Sequence, residues 1–409
     1  MSGSNLSKII ENKFTDYSAV GISSYFSFRY PVLTNTMFNG YESIDPSHDC
    51  KPRMIETDIS YSDAVKTVEK LLIEAVAKLV EPYKRIGVTL SGGLDSSIIT
   101  AIIKKHFCSK ELFTYSSGFE GMNEFEFSKV VADLYSNKHE QIWFYRDDFL
   151  GENSITKALI KSKRAPVHPN ETAIAIMAQR ARIDLCDVVL CGEGSDEIFG
   201  GYNNLLKLFV HYHEDNSDFY TFFLDNYRYF SKGETKDILN EKYYVDDLEF
   251  IKTIFREEEC PAAIHNQVFY FLQRVHARGL LERAENALGF SGFNNAFPFF
   301  DSALVSFVNL LPFDYKIRWH GNHDTPKYIL KKIAEKYLPT DIVHRNKIAF
   351  PVPYEKWFED FQMPSLNKEI FKINNLERFN GWKKFMIYNL NHFIEIFNMY
   401  RVSEHGKAI

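Results

Sequence analysis

The run Ser91, Gly92, Gly93, Leu94, Asp95, Ser96 and Ser97 assembles the parts of a polyphosphate site. The two glycines let backbone N–H groups approach an anion, the serines add hydroxyl donors, and a helix starting at Leu94 would turn its positive dipole end toward the charge. Asp95 would repel a bare phosphate, so it fits this loop best as a ligand of a magnesium ion that bridges to phosphate oxygens. A second constellation runs from Cys191 through Gly192, Glu193, Gly194, Ser195, Asp196 and Glu197 to Tyr202, again at the end of an apolar stretch. It adds three carboxylates, of which Asp196 could share one octahedral magnesium with Asp95. The plain structural alternatives are a Gly-rich turn capped by Ser and Asp in the first string and helix-capping acids in the second. The capping alternative suits Glu193 or Glu197 but not the whole set.

The surrounding pattern supplies a scaffold for both loops. Ser60 and Asp63 have capping-box spacing ahead of Val65, Val68, Leu72, Val76 and Leu79, which recur at helical intervals and predict a helix ending near Pro82. The β-branched run Ile86 to Leu90 reads as a strand entering the first loop, and Ile98, Ile99, Ile102 and Ile103 mark the helix that leaves it. Strands from Leu112, Glu140 and Asp187 alternate with helices over Phe127–Tyr135 and Thr172–Ile183. Such alternation predicts an α/β fold whose parallel sheet is covered on both faces and binds ligands at the carboxyl ends of its strands. Beyond Tyr202 the pattern becomes long helical stretches rich in Phe, Leu and Tyr, without a clear strand.

Composition narrows the function classes. The chain has 409 residues, 45% hydrophobic and 25% charged, with a formal charge of −6 and no long basic run, so nucleic acid is not a favoured partner. Five cysteines without a C-x-x-C pair speak against a disulfide framework or a zinc site. No apolar run approaches the roughly 18 residues of a membrane span, and the first residues lack a secretory leader pattern, so the expectation is a cytoplasmic protein with no membrane partner.

The strings GVTLSGGLDSS and VVLCGEGSDEIFGGY resemble the two signature motifs of the asparagine synthetase family, whose catalytic domain is a PP-loop ATP pyrophosphatase. FTYSSGF, Asn123, Glu124, His139 and Glu140 follow that family's adenosine-binding segment in order. FPFFD resembles its PFLD segment, HRNKIAFPVP its RxKxGF segment, and WKKFMIYNLNHFIEIF its terminal helix. The resemblance implies a PP-loop core of the adenine nucleotide alpha hydrolase type over 59–205, with a largely helical substrate-side half over 206–409. It implies ATP with its adenine near Leu90 and Gly118, further cofactor-binding residues at Ser91, Gly92, Gly93, Asp95, Ser96, Gly192 and Glu193, and Mg²⁺ on Asp95 and Asp196. It further implies Lys347 at the adenylate as a catalytic residue beside Asp95 and Asp196. The reaction implied activates a carboxylate as an acyl-adenylate and passes the acyl group to a nitrogen nucleophile, releasing AMP and pyrophosphate.

Two departures qualify the resemblance. Full asparagine synthetases place a glutaminase domain headed by a cysteine before this region; here residue two is Ser2, and Val20–His48 resembles only the end of that domain. Residues 1–58 are thus expected to be the tail of a lost glutaminase domain, with nitrogen coming from free ammonia, a separate glutaminase subunit or an amine of the substrate. In Gly279–Asp301, where the family shows an Asp–Arg pair and then a Glu and an Arg, this chain has Glu285, Asn286, Asn294 and Ala296. Asn294 is neutral and cannot act as a base, so the acceptor is expected to differ from simple aspartate. Glu197, Tyr202 and Asn294 are the substrate-side candidates. The competing readings are an intramolecular cyclase similar to β-lactam or macrolactam synthetases, acting on a small-molecule or peptide carboxylate, and a non-catalytic partner subunit. A homo-oligomer is compatible with either.

Overall fold

The protein was analysed as a computed structural model describing residues 14–43, 51–212, 218–320, 323–346, 352–373 and 375–402. Helix α1 spans Ala19–Phe28 and α2 spans Tyr61–Val80. Ser60 caps α2 as expected, its Oγ accepting the Asp63 N–H at 3.1 Å, while the Asp63 carboxylate accepts from that same hydroxyl at 2.7 Å and not from the Ser60 backbone N–H. Its apolar stripe Val65, Val68, Leu72 and Val76 is buried.

Strands β1 (Arg85–Thr89), β2 (Glu111–Gly118), β3 (Lys138–Trp143) and β4 (Val188–Leu190) form one parallel sheet in the order β3-β2-β1-β4. In register, Ile86 lies between Leu112 and Val188 and Val88 between Thr114 and Leu190. The reversal of strand order therefore falls at β1, which feeds the first loop, with β4 and the second loop beside it. That is where an open α/β sheet leaves its ligand crevice. Helices α3 (Leu94–His106), α4 (Phe125–Tyr135) and α5 (Pro169–Ile183) follow β1, β2 and β3 in the chain.

The remainder is mostly helical. The short α6 (Ser195–Phe199) carries the second loop; α7 (Ile264–Phe271) passes through a π-helical turn, Leu272–His276, into α8 (Ala277–Phe290); α9 covers Tyr328–Ala334 and α10 Gly381–Asn398. The expectation of no strand beyond Tyr202 needs correction, because Arg318–His320 pairs antiparallel with His323–Thr325 as β5 and β6. Strands of three residues are too short to show an alternation. Phe14, Tyr17 and Phe38 share one apolar cluster with Phe393 and Phe397 of α10, so the first described segment packs on the last helix. No described helix is long and apolar enough to cross a membrane.

Candidate functional site

At the end of β1 the chain turns through Gly92 at φ +76°, where an added Cβ would stand 2.5 Å from the Ser128 backbone nitrogen. Only glycine fits that turn. Ser96, buried in the first turn of α3, ties the loop down: its Oγ accepts the Ser91 N–H at 3.1 Å and lies 3.2 Å from Ser91 Oγ. Leu90 is buried and its N–H reaches the Tyr115 carbonyl at 2.8 Å, while Gly118 ends β2 against Asn123. The second loop lies on the first, since a Cβ at Gly192 would be 3.1 Å from the Ser96 nitrogen. The two strings expected to act together are thus in contact.

Asp95 and Asp196 do converge, and a lysine stands between them. Lys327 Nζ donates to the two carboxylate oxygens of Asp95 at 2.7 and 2.6 Å and lies 2.8 Å from Asp196 Oδ1. Ser195 Oγ donates to Asp95 at 2.7 Å. Gly201 makes room for this cluster: a Cβ there would sit 1.5 Å from Asp196 Oδ1. Burial opposes a charge on Lys327, yet the Asp196 and Asp95 carboxylates outweigh it and hold the ammonium above the usual lysine value. Lys327 also adopts a left-handed backbone at φ +55°, a conformation costly for a residue with a Cβ. Two carboxylates converging on one point that already holds a cation suit magnesium, which binds through one or two carboxylates plus phosphate oxygens. The sequence reading passed over Lys327. Its signal was a lysine ahead of the apolar run Tyr328-Ile329-Leu330, where the chain had no other reason to bury a charge.

Glu193, at the same edge, receives Arg283 Nη2 of α8 at 3.0 Å on each oxygen. Glu197 is fully buried behind Asp196; burial, then the charge of Asp196, raises its carboxyl to about 7. Tyr202 donates its hydroxyl to Glu197 at 2.7 Å and lies 3.0 Å from Nε2 of His276, in the π-helical turn. Tyr227 and Arg29 meet the other ring nitrogen, Arg29 Nη2 at 3.3 Å. Glu197 and Tyr202 are therefore brought together, with His276 as a third member that no sequence signal marked. Asn294 is not buried with them: it is exposed on the segment after α8. Asn286, at the position of the family's Arg, turns inward to Glu171 at 2.5 Å.

Lys347 lies outside the described residues. Arg345, two positions earlier, donates to the Gly92 carbonyl at 3.0 Å, pairs with Glu124 and stacks 4.0 Å over the Phe127 ring. The segment leading to Lys347 is thereby fastened to the first loop.

The family described as asparagine synthase matches residues 67–390. Among curated relatives, asparagine synthetase [glutamine-hydrolyzing] 1 of Bacillus subtilis (strain 168) is 23% identical over 403 residues, covering 83% of this chain and 60% of the relative. Asparagine synthetase [glutamine-hydrolyzing] 3 of the same organism is 26% identical over 312 residues, covering 71% of this chain and 49% of the relative. A putative asparagine synthetase [glutamine-hydrolyzing] 2 of Methanocaldococcus jannaschii is 34% identical over 145 residues, 34% of this chain and 27% of the relative. The chain spans about half the length of the first relatives it matches, 60%, 49% and 51% for three of them. With the two signature loops in contact and a family match over most of its residues, the chain belongs to the asparagine synthase family.

Proposed function

We propose that the chain is an ATP-dependent amide-forming ligase, which adenylates a substrate carboxylate and transfers the acyl group to ammonia or an amine, releasing AMP and pyrophosphate. The observation that carries this reading is the convergence of Asp95 and Asp196, from two neighbouring strand ends, on one cation-holding point beside a glycine loop and a helix N-terminus. A carboxylate does not condense with an amine in neutral water because its oxygen is a poor leaving group; adenylation replaces it with a good one. In this reading Ser91, Gly92, Gly93 and Ser96 cradle the phosphates through backbone N–H groups and hydroxyls. Asp95 and Asp196 would hold a magnesium ion, whose chemistry would be charge neutralisation on the departing pyrophosphate. Lys327 neutralises the two aspartates while the nucleotide is absent and stands within reach of phosphate oxygens when it is bound. Arg283 fixes Glu193 at the same edge, and Arg345 ties the chain two positions before Lys347 to the first loop.

Exchange of labelled pyrophosphate into ATP, dependent on added carboxylates, tests the reading. Exchange with some member of a broad carboxylate pool supports it, and ammonium consumption then separates amidation from cyclisation. Binding of ATP without exchange across the pools counts against it and favours a non-catalytic partner.

A further inference from the structure

The first loop contains one peptide that neither its strand nor its helix holds. The peptide after Gly93 is fixed, because the Gly93 carbonyl accepts the Ser97 N–H at 3.2 Å in the first turn of α3. The peptide between Gly92 and Gly93 has glycine on both sides. A trans peptide points its C=O and N–H in opposite directions, and turning it over changes only ψ of the residue before and φ of the residue after. Gly93 stands at φ −77° and ψ 165°. The turn would carry its φ to about +100°, which glycine tolerates and residues with a Cβ do not.

The direction of this peptide decides what the loop shows to an anion. As it stands, the Gly93 N–H donates to Ser91 Oγ at 3.2 Å, and Ser91 is exposed on the open side of the loop. Turned over, the peptide would present the Gly92 carbonyl oxygen there instead. A backbone N–H attracts a phosphate and a carbonyl dipole repels it, so only the first direction serves the site.

Arg345 holds the peptide in that direction. Its Nη1 donates to the Gly92 carbonyl at 3.0 Å, and the guanidinium is itself fixed by its pair with Glu124 and by lying 4.0 Å over the Phe127 ring. The side chain is only 9% exposed, which leaves water little access to take over the carbonyl. Behind Gly92 lies the start of α4, where Phe127 and Ser128 leave no room even for a methyl group. One helix start thus supplies the backstop of the loop and, through Glu124 and Phe127, the seat of the arginine.

We propose that Arg345 is a positioning residue of the phosphate site, which latches the Gly92–Gly93 peptide with its carbonyl turned away from the bound polyphosphate and its N–H turned toward it. The latch acts through the direction of one hydrogen bond, not through the charge of the arginine. This assignment rests on the phosphate-binding part of the ligase reading above and adds to it a residue from outside both signature loops.

The test is a double-mutant cycle of parent, Arg345→Met, Gly93→Ala and the pair, read by calorimetric titration of the full chain with magnesium pyrophosphate. Alanine suits the present backbone of Gly93, where its Cβ would meet only Ser91 Oγ, at 3.2 Å, but it forbids the turned-over peptide. It therefore takes over the arginine's task. Arg345→Met is expected to weaken binding by about tenfold or more in the parent background, and by at least about fivefold less in the Gly93→Ala background. Repulsion from a Glu124 left without its arginine enters both backgrounds alike and cancels in the ratio. Far-UV circular dichroism checks the fold of each variant, and Arg345→Gln replaces Arg345→Met in the cycle if the thioether disturbs it. Equal losses in the two backgrounds, or no loss in Arg345→Met, would overturn the latch and leave the phosphate site standing. A folded Gly93→Ala protein without binding would overturn it too, because the φ of −77° would then not be the binding conformation. A parent that binds neither magnesium pyrophosphate nor magnesium ATP defeats the phosphate-site reading, and the latch with it.

Discussion

Removing the Lys327 ammonium should leave two aspartates facing one another with nothing between them. Taking one partner from a buried ion pair costs about 3–5 kcal/mol. Asp95 and Asp196 keep 22% and 17% of their side-chain exposure, so the lower end applies and Lys327→Ala is expected to lose about 3 kcal/mol of stability. Lys327→Gly should lose about 1 kcal/mol less, since the backbone at φ +55° is strained for alanine and relaxed for glycine. The assay is urea unfolding of parent and variants, with and without millimolar magnesium. In the parent the cation point is filled by Lys327 and magnesium should change little. In Lys327→Ala the metal can take the vacated point, and at about 100-fold over its dissociation constant it would restore about 2.7 kcal/mol. A Lys327→Ala protein as stable as its parent, or one whose midpoint ignores magnesium, would refute the argument that these two aspartates form a cation site.

Asp95→Asn and Asp196→Asn are each expected to abolish pyrophosphate exchange, read with saturating ATP and an active carboxylate. Gly201→Ala should push Asp196 out of place and lower exchange by about 100-fold, the scale of a 1 Å misplacement, while far-UV circular dichroism stays that of the parent. Lys347→Ala should slow amide formation by roughly 10² to 10³, measured as product release. Asp247, away from the site, is raised to about 6 by burial, with Ser27 donating to it. The folded state then holds this proton more tightly than the unfolded chain does, so its contribution to stability falls as pH rises from about 4 to about 6. Asp247→Asn should therefore be the more stable protein at pH 7.5, by up to about 3 kcal/mol, with the advantage gone near pH 4.

How much of this was readable in advance depends on how local each signal is. The β1–α3 junction was legible because strand, glycines, Asp95 and helix lie within one stretch, and because β-branched periodicity gave both flanks. The convergence of Asp95 with Asp196 followed from parallel strand ends, a rule about sheets rather than about these residues. Lys327 arrives from a distant helix start whose left-handed turn no glycine advertises. His276 depends on a π-helical turn, which inserts a residue into the helix and rotates the side chain relative to the 3.6 period on which sequence reading relies. Asn294 was chosen by alignment with the family's Glu, but the segment after α8 leaves it in solvent.

Backbone strain by itself does not mark Lys327, since Arg29, Leu33, Arg164 and Leu185 are left-handed too. What sets Lys327 apart is charge: its ammonium draws the carboxylates of Asp95 and Asp196 to 2.8 Å or less. Glycine there would relieve about 1 kcal/mol of backbone strain, yet taking the ammonium from a buried pair costs about 3 kcal/mol. Lys327→Gly is therefore expected to remain less stable than the parent in urea unfolding, by about 2 kcal/mol. A Lys327→Gly protein more stable than the parent would mean that the two aspartates do not need the cation, and the case for a cation point between them would fall.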